Sequence, residues 1–477
     1  MKKRNYFLIA LVAFLVLSCK KENQDYESVN KWIYSEMSIY YLWNENLPDR
    51  PNYTINPEDF FESILYMRNQ PTGDRFSWIQ NDYLELLNSL SGITQYDIGF
   101  EYLVYPMSET SNDVIAQIAY VKPNTDAATS GLKRGDFFTQ VNGEQLNRDN
   151  WHTLLSGSET SVSITLFDIH SGITTNKTVK KMPNYAEDPL FYNNIYQING
   201  KKVGYLVYNA FITGPTQTSN VYDKKLNDVF ADFKNSGITE LVLDLRYNSG
   251  GAMSSAILLG SMIAPNFSAN NIFIKLGYNK LVESALVNQE GEEVLIDYMK
   301  DELSPGEPLN NVGSSINSLY ILTSGWTASA SELVINSLKP YMQGKPIILI
   351  GNTTVGKNVG SISRYEEDNP KNKWGIQPII CRFYNSDGTA DFATGFEPDH
   401  KELDNGEKLP LGDVNEIMLK TALEHITTGS FSTKSSALRD ADRITLGSSV
   451  EQKAWANKTI ADKSFLKNVN FETLNKL

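Results

Sequence analysis

The 477-residue chain contains only two cysteines and four histidines. So few ligands cannot build a disulfide framework or a zinc site of the usual Cys/His kind, and neither H-E-x-x-H nor C-x-x-C spacing occurs. No metal or organic cofactor is expected. Basic residues are also in deficit, 43 Lys and Arg against 56 Asp and Glu, for a net charge of −13. A surface of that sign repels phosphate backbones, so nucleic acid is not an expected partner. No apolar run is long enough for a stable membrane span, and no period of roughly 20 to 50 residues repeats, which excludes solenoids and propellers.

What is present is enough apolar material, 41% of positions, to fill substantial cores at a length that suits two or three domains. The first segment has the grammar of export: Lys2, Lys3 and Arg4 precede an apolar run from Phe7 to Leu17, which fits a signal-peptide core. That run ends Val16-Leu17-Ser18-Cys19, which resembles a bacterial lipobox. The resemblance implies a lipoprotein signal peptide over residues 1–19, with Cys19 carrying the lipid that tethers the chain to a cell envelope membrane, at the periplasmic face or the cell surface. The alternative is a plain secretory signal with an incidental cysteine. Cys381 lies in the apolar stretch Ile379-Ile380-Cys381-Arg382-Phe383 and reads as a packed core residue.

Texture divides the rest of the chain. Aromatic and aliphatic residues recur at helical spacing through residues 26–90, which predicts an N-terminal helical domain. Short alternating runs with turns between them predict a compact β module over 95–182. Near-continuous apolar runs separated by helical stretches predict an α/β domain with a largely parallel sheet over 188–427. Residues 428–477 form a polar tail with a few apolar anchors, to which the sequence assigns no function. The fold class is thus α/β multidomain.

Within the β module, Asp97-Ile98-Gly99-Phe100-Glu101 opens a strand, and Asn124 to Asp136 followed by Val141-Asn142-Gly143 resembles the helix and turn of a PDZ domain. The resemblance implies that Ile98, Gly99 and Phe100 present backbone N–H groups to a peptide C-terminal carboxylate while the peptide adds a strand to the sheet edge. A PDZ-like fold without a peptide ligand is the alternative. His152 and His170 in this module read as surface or packing residues.

Three apolar runs of the α/β part each end in an unusual turn, and ligands of α/β sheets gather at the carboxyl ends of strands. The first is Asp244-Leu245-Arg246-Tyr247-Asn248-Ser249-Gly250-Gly251, whose two glycines allow a sharp turn with unobstructed N–H groups. The second runs from Thr323 through Ser329, Ala330, Ser331 and Glu332 into a helix, where a serine would sit near unpaired N–H groups and the positive end of the dipole. Simple capping, with Glu332 completing a capping box on Ser329, is its structural counterpart. The third, Gly351 to Gly360, sets Lys357 among glycines and small or apolar residues, where desolvation would lower its pKa and leave a neutral amine as general base. It also approaches phosphate-loop grammar, but the position after the lysine is Asn358 rather than Ser or Thr. A histidine base would have to be His400 or His425, and no Gly-x-Ser-x-Gly elbow precedes Ser329, so a serine–lysine dyad is the better reading.

Together, Asp244 to Gly251, Thr327 to Glu332, Gly356-Lys357 and Gly395 to Asp399 occur in the order and approximate spacing of the C-terminal processing peptidases, the S41 serine peptidases, and Pro71 to Ser77 is similar to a segment these proteins carry before their PDZ module. The resemblance implies a crotonase-like catalytic domain. It makes Ser329 the nucleophile and Lys357 the base, with Ala330 N–H and one N–H of the Gly250-Gly251 turn as oxyanion donors and Glu332 in support. Where many relatives carry a glutamine four residues after the lysine, this chain has Ser361, which leaves the orienting role to another group such as Gln377. The expected activity is endoproteolysis of exported, loosely structured polypeptides. A catalytically silent PDZ-containing scaffold lipoprotein and hydrolysis of small acyl esters are the rival readings.

Overall fold

A computed structural model describes residues 26–431, apart from 91, 92, 158, 217 and 405, and then 445–453 and 459–460. Cys19 and the Phe7 to Leu17 run lie outside the described residues. No helix among the described residues is long and apolar enough to cross a membrane.

A helix over 26–40 buries Val29, Ile33 and Met37, spaced three or four apart on one face, against Phe60, Phe61 and Ile64. The following helix, Pro57–Ser63, starts with proline at its first position, and the Asn56 side chain accepts from Glu58 N at 2.9 Å. This region does not close on itself. Its strand Trp78–Gln80 pairs with Gly375–Gln377, and Ile376 completes its core.

The β module is an antiparallel sheet in which Phe100–Pro106, Val114–Val121, Phe137–Val141, Ser161–Phe167 and Thr174–Lys180 are successive neighbours. Thr125 caps the short helix Asp126–Thr129 by accepting from Ala128 N. Beyond Phe100–Pro106, the sheet is extended by Gly447–Ser448 from the end of the chain.

The α/β part is built on a sheet ordered Leu190–Ile198, Lys201–Tyr208, Glu240–Asp244, Ser318–Thr323, Ile347–Gly351, His400–Lys401, parallel throughout except for the first pair. The register aligns Asp244 with Leu322 and Leu322 with Ile350, so the three turns seen in the sequence leave the same edge of adjacent strands. A second sheet is ordered Gly251–Ala252, Thr459–Ile460, Val359–Ser361, Ile379–Tyr384, Ile272–Tyr278, Ile296–Tyr298, and takes up the chain directly after the first and third turns. Cys381 is buried within it.

A buried ionic network ties the β module to the first turn. Arg246 donates to Asp244 Oδ2 at 2.8 Å and to both oxygens of Glu416 at 2.6 and 2.9 Å. Arg134, from the β module, donates to Asp404 Oδ1 at 2.6 Å and to Tyr247 OH at 2.6 Å. Burial alone would raise the Glu416 carboxyl, but Arg246 holds it below its usual value. Arg246→Met leaves Asp244 and Glu416 as buried charges without their guanidinium, and is expected to cost about 3–5 kcal/mol of folding stability. Urea denaturation indistinguishable from the parent would refute this account of the network.

Candidate active site

Ser329 stands at the head of the helix Ala330–Leu338 with φ +62° and ψ −115°. A non-glycine residue held there carries roughly 1–3 kcal/mol of backbone strain, so the surroundings must fix it. They do so from the first turn. Ala328 N donates to Asn248 O at 3.2 Å, Thr327 Oγ1 to Leu245 O at 2.9 Å and Ser331 Oγ to Asn248 O at 3.1 Å. Gly250, at φ +110°, lies against the serine itself: a Cβ there would stand 2.6 Å from Ser329 Cβ and 2.9 Å from its Oγ. Gly251 presses equally hard on the other side, where a Cβ would meet Phe211 O at 2.1 Å. The Gly250 N–H donates to Asn248 Oδ1 at 2.9 Å.

One carboxylate joins the second and third turns. Glu332 is fully buried, and its Oε2 accepts from both Ser329 N at 2.9 Å and Lys357 N at 2.8 Å. Its Oε1 accepts from Gly356 N at 2.6 Å and from Thr354 Oγ1. The backbones of Ser329 and Lys357 therefore share a single acceptor atom. Burial raises the Glu332 carboxyl above its usual value, and these four donors act against that rise. The Ser329 N–H onto Glu332 is one half of the capping box expected from the sequence, but the same carboxylate also fastens the lysine loop.

Lys357 is fully buried, and burial pushes its ammonium down to about 7 against the opposing pull of Asp74 and Glu332. Its Nζ lies 5.3 Å from the centroid of the Phe76 ring. The loop around it is clamped from the N-terminal region, where Arg75 Nη2 donates to Gly356 O at 2.8 Å and Ala393 O at 2.9 Å. Asp74, also buried, accepts from Tyr41 OH at 2.8 Å and from the N–H groups of Phe76 and Ser77. Sequence similarity singled out Pro71 to Ser77 without giving it a role, and its place against Lys357 was not readable from local pattern.

Gln377 donates through Nε2 to Ser363, and its buried Oε1 has no hydrogen-bond partner among the described residues. It does not accept a hydrogen bond from Lys357. Ser361 is buried in the strand Val359–Ser361, paired with Ile379. His425 Nδ1 meets Tyr320 OH at 2.8 Å, and His400 stacks on Phe431, so both histidines are engaged with aromatic neighbours elsewhere. In the β module, Ile98, Gly99 and Phe100 lie at the head of the strand Phe100–Pro106, but the Gly99 N–H is already donated to Asp97 Oδ1 at 2.7 Å.

A strand–turn–helix serine on a parallel sheet, beside a desolvated lysine and a diglycine turn, is the constellation of a serine-type hydrolase. Comparison with known proteins gives the family. Residues 202–402 match the model of peptidase family S41, and residues 28–78 match the S41 N-terminal domain. The carboxy-terminal processing protease CtpA of Bacillus subtilis is 23% identical over 359 residues, covering 72% of this chain and 67% of the relative. A CtpA-like serine protease of Staphylococcus aureus is 24% identical over 296 residues, but this covers 61% of the chain and only half of the relative's length. A Bacteroides fragilis protein assigned to the S41 proteases superposes with a TM-score of 0.66 at 28% identity, over 84% of this chain and 97% of that one. The chain belongs to peptidase family S41.

Glu332→Gln places an amide N–H₂ where only acceptors fit. It is expected to destabilise the fold by about 1–3 kcal/mol and to disorder the lysine loop, read as faster hydrogen exchange at Gly356 and Lys357. Unchanged exchange at those two amides would show that the carboxylate does not hold the loop.

Proposed function

We propose that the protein is a serine endopeptidase of the C-terminal processing type that uses Ser329 and Lys357 as a dyad on exported, loosely structured polypeptides. The observation that carries this reading is the Glu332 oxygen shared by the N–H groups of Ser329 and Lys357, with the lysine buried so that its amine is half neutral near pH 7. Neutral Lys357 Nζ takes the Ser329 hydroxyl proton as Oγ attacks the scissile carbonyl. The tetrahedral oxyanion is received by Ala330 N–H and by the diglycine turn. The Gly250 N–H is held by Asn248 Oδ1, so the oxyanion would have to compete for it. The lysine then protonates the leaving amine, and water, deprotonated by the same amine, releases the acyl-enzyme.

The β module would deliver the substrate by strand addition beside Phe100–Pro106, as in PDZ domains. A C-terminal carboxylate at Ile98, Gly99 and Phe100 would have to compete with Asp97 for the Gly99 N–H. Cleavage of an unstructured protein is expected to fall by at least about a thousandfold in Ser329→Ala and in Lys357→Ala. Because the neutral amine is the active form, kcat/KM of the parent is expected to rise with pH through about 7 and level off above it. Cleavage surviving in Ser329→Ala would remove that residue as nucleophile. Binding of polypeptide by the parent without any cleavage would favour the silent scaffold.

Export and a lipid on Cys19 belong to the same proposal, supported by the basic start, the Phe7 to Leu17 run and the cysteine that ends it. Cys19→Ala is expected to move the protein from the detergent to the aqueous phase in a Triton X-114 partition. Retention in detergent would exclude Cys19 as the anchor.

A further inference from the structure

The end of the chain lies along the route that a polypeptide would take. Gly447 and Ser448 pair antiparallel with Val104 and Leu103, extending the sheet at the strand that PDZ domains use for their ligands. The direction is also that of a PDZ ligand, running toward Gly99 and Phe100. Leu446 N donates to Val104 O at 2.8 Å, Ser448 Oγ to Tyr102 O at 3.1 Å, and Tyr102 N to Ser449 Oγ at 2.8 Å. Val450 is fully buried among Leu103, Tyr105 and Tyr120. Glu451 accepts from Trp326 Nε1, three residues before the nucleophile. Farther on, the backbone of Thr459 and Ile460 lies parallel between Gly251-Ala252 and Ser361, bridging the wall that holds the diglycine turn to the strand just after Lys357.

Past the paired stretch, the helical turn Ser449–Gln452 carries a cation to the buried acidic cluster beside the head of that strand. Lys453 Nζ donates to Tyr120 OH at 2.8 Å and Glu187 Oε2 at 2.8 Å and lies 3.2 Å from Glu101 Oε1. The same pocket holds Lys122, 2.5 Å from Asp97, 2.8 Å from Glu101 and 3.5 Å from Glu187. All three carboxylates and both lysines are buried. Burial would raise Glu187, but Lys453 and Lys122 hold it at about 2. Withdrawing Lys453 would leave three buried carboxylates facing one ammonium, an arrangement that calls for a replacement cation.

We propose that this track is a peptide site selective for a segment that enters as a strand and then makes one helical turn carrying an aliphatic residue and, three positions later, a lysine or arginine, and that the chain's own segment Leu446 to Lys453, a strand at Gly447–Ser448 and a helical turn over Ser449–Gln452, is its resident occupant. A polypeptide substrate enters by displacing that segment and bringing its own cation to Glu101 and Glu187. Cleavage of the bound polypeptide rests on the peptidase reading, whereas binding itself does not depend on turnover.

The test uses full-chain protein carrying Ser329→Ala, so that nothing is cleaved, and a fluorescent, C-terminally amidated peptide of residues 446–453 followed by anisotropy. With the resident segment dislodged by Val450→Asp, or separately by Lys453→Met, the peptide is expected to bind at least about tenfold more tightly than to Ser329→Ala alone, because the occupied fraction of the site no longer competes. Norleucine in place of the peptide's lysine is expected to weaken binding at least about tenfold. Thermal melts identify a variant that has failed to fold, and the other variant then carries the comparison. Equal affinity with and without the resident segment would overturn the occupancy, and equal affinity for the lysine and norleucine peptides would overturn the cation requirement. Cleavage by the parent is scored separately, so a failed dyad and a failed peptide site give different results.

Discussion

Everything at the candidate site depends on one buried carboxylate. Glu332 lies a helical turn beyond Ser329, where its own helix can hold it rigidly, and it accepts from the serine's N–H and from two N–H groups and a hydroxyl of the lysine loop. An ionised carboxylate without water is costly unless its lone pairs are filled, and four donors fill them. The cost of burial and the relative placement of Ser329 and Lys357 are thus one constraint. The donors that make Glu332 tolerable are the groups whose positions matter, so serine and lysine cannot drift apart without leaving the carboxylate unsatisfied.

Two further ionic clusters do comparable work at the seams of the molecule. Arg246 and Arg134, with Asp244, Asp404 and Glu416, fix the first turn to the β module, and Lys122 with Asp97, Glu101 and Glu187 fixes the head of the strand Phe100–Pro106 to the segment leading into the α/β part. Such clusters add little net stability compared with apolar packing, but they penalise misplacement heavily. They lie where two units must keep a fixed relation, at the turn behind Ser329 and at the edge strand Phe100–Pro106.

The elements whose burial is local were legible in the sequence. Leu241 to Leu245, Leu319 to Leu322 and Ile347 to Ile350 are near-continuous apolar runs because parallel strands are covered on both faces, and Gly250, Gly251, Gly351 and Gly356 after the first and third mark turns with no room for a Cβ. Ser329, Glu332 and Lys357 could be singled out because each lies in the turn, or the first turn of helix, that follows an apolar run. What the sequence hid depends on chain returning from far away. Asp74, Arg75 and Phe76 carry no local sign of facing Lys357, the polar residues after Gly429 carry none of lying along a sheet edge, and Gln377, a reasonable candidate for holding the lysine, hydrogen-bonds Ser363 instead.

The Arg75 contact also sets an order of events in folding. Arg75 and Gly356 are 281 residues apart in sequence, so the clamp on the lysine loop closes only after most of the chain has emerged. Closing so long a loop is entropically costly and comes late in folding. The first region leaves the ribosome early with its strand Trp78–Gln80 unpaired, because its partner Gly375–Gln377 is made some three hundred residues later. Until that strand arrives, the desolvated pocket around Lys357 is incomplete and its amine remains an ordinary hydrated ammonium. The neutral form of this amine thus becomes accessible near pH 7 only with the last long-range contacts, and a chain that lacks them carries Ser329 beside an ordinary charged lysine.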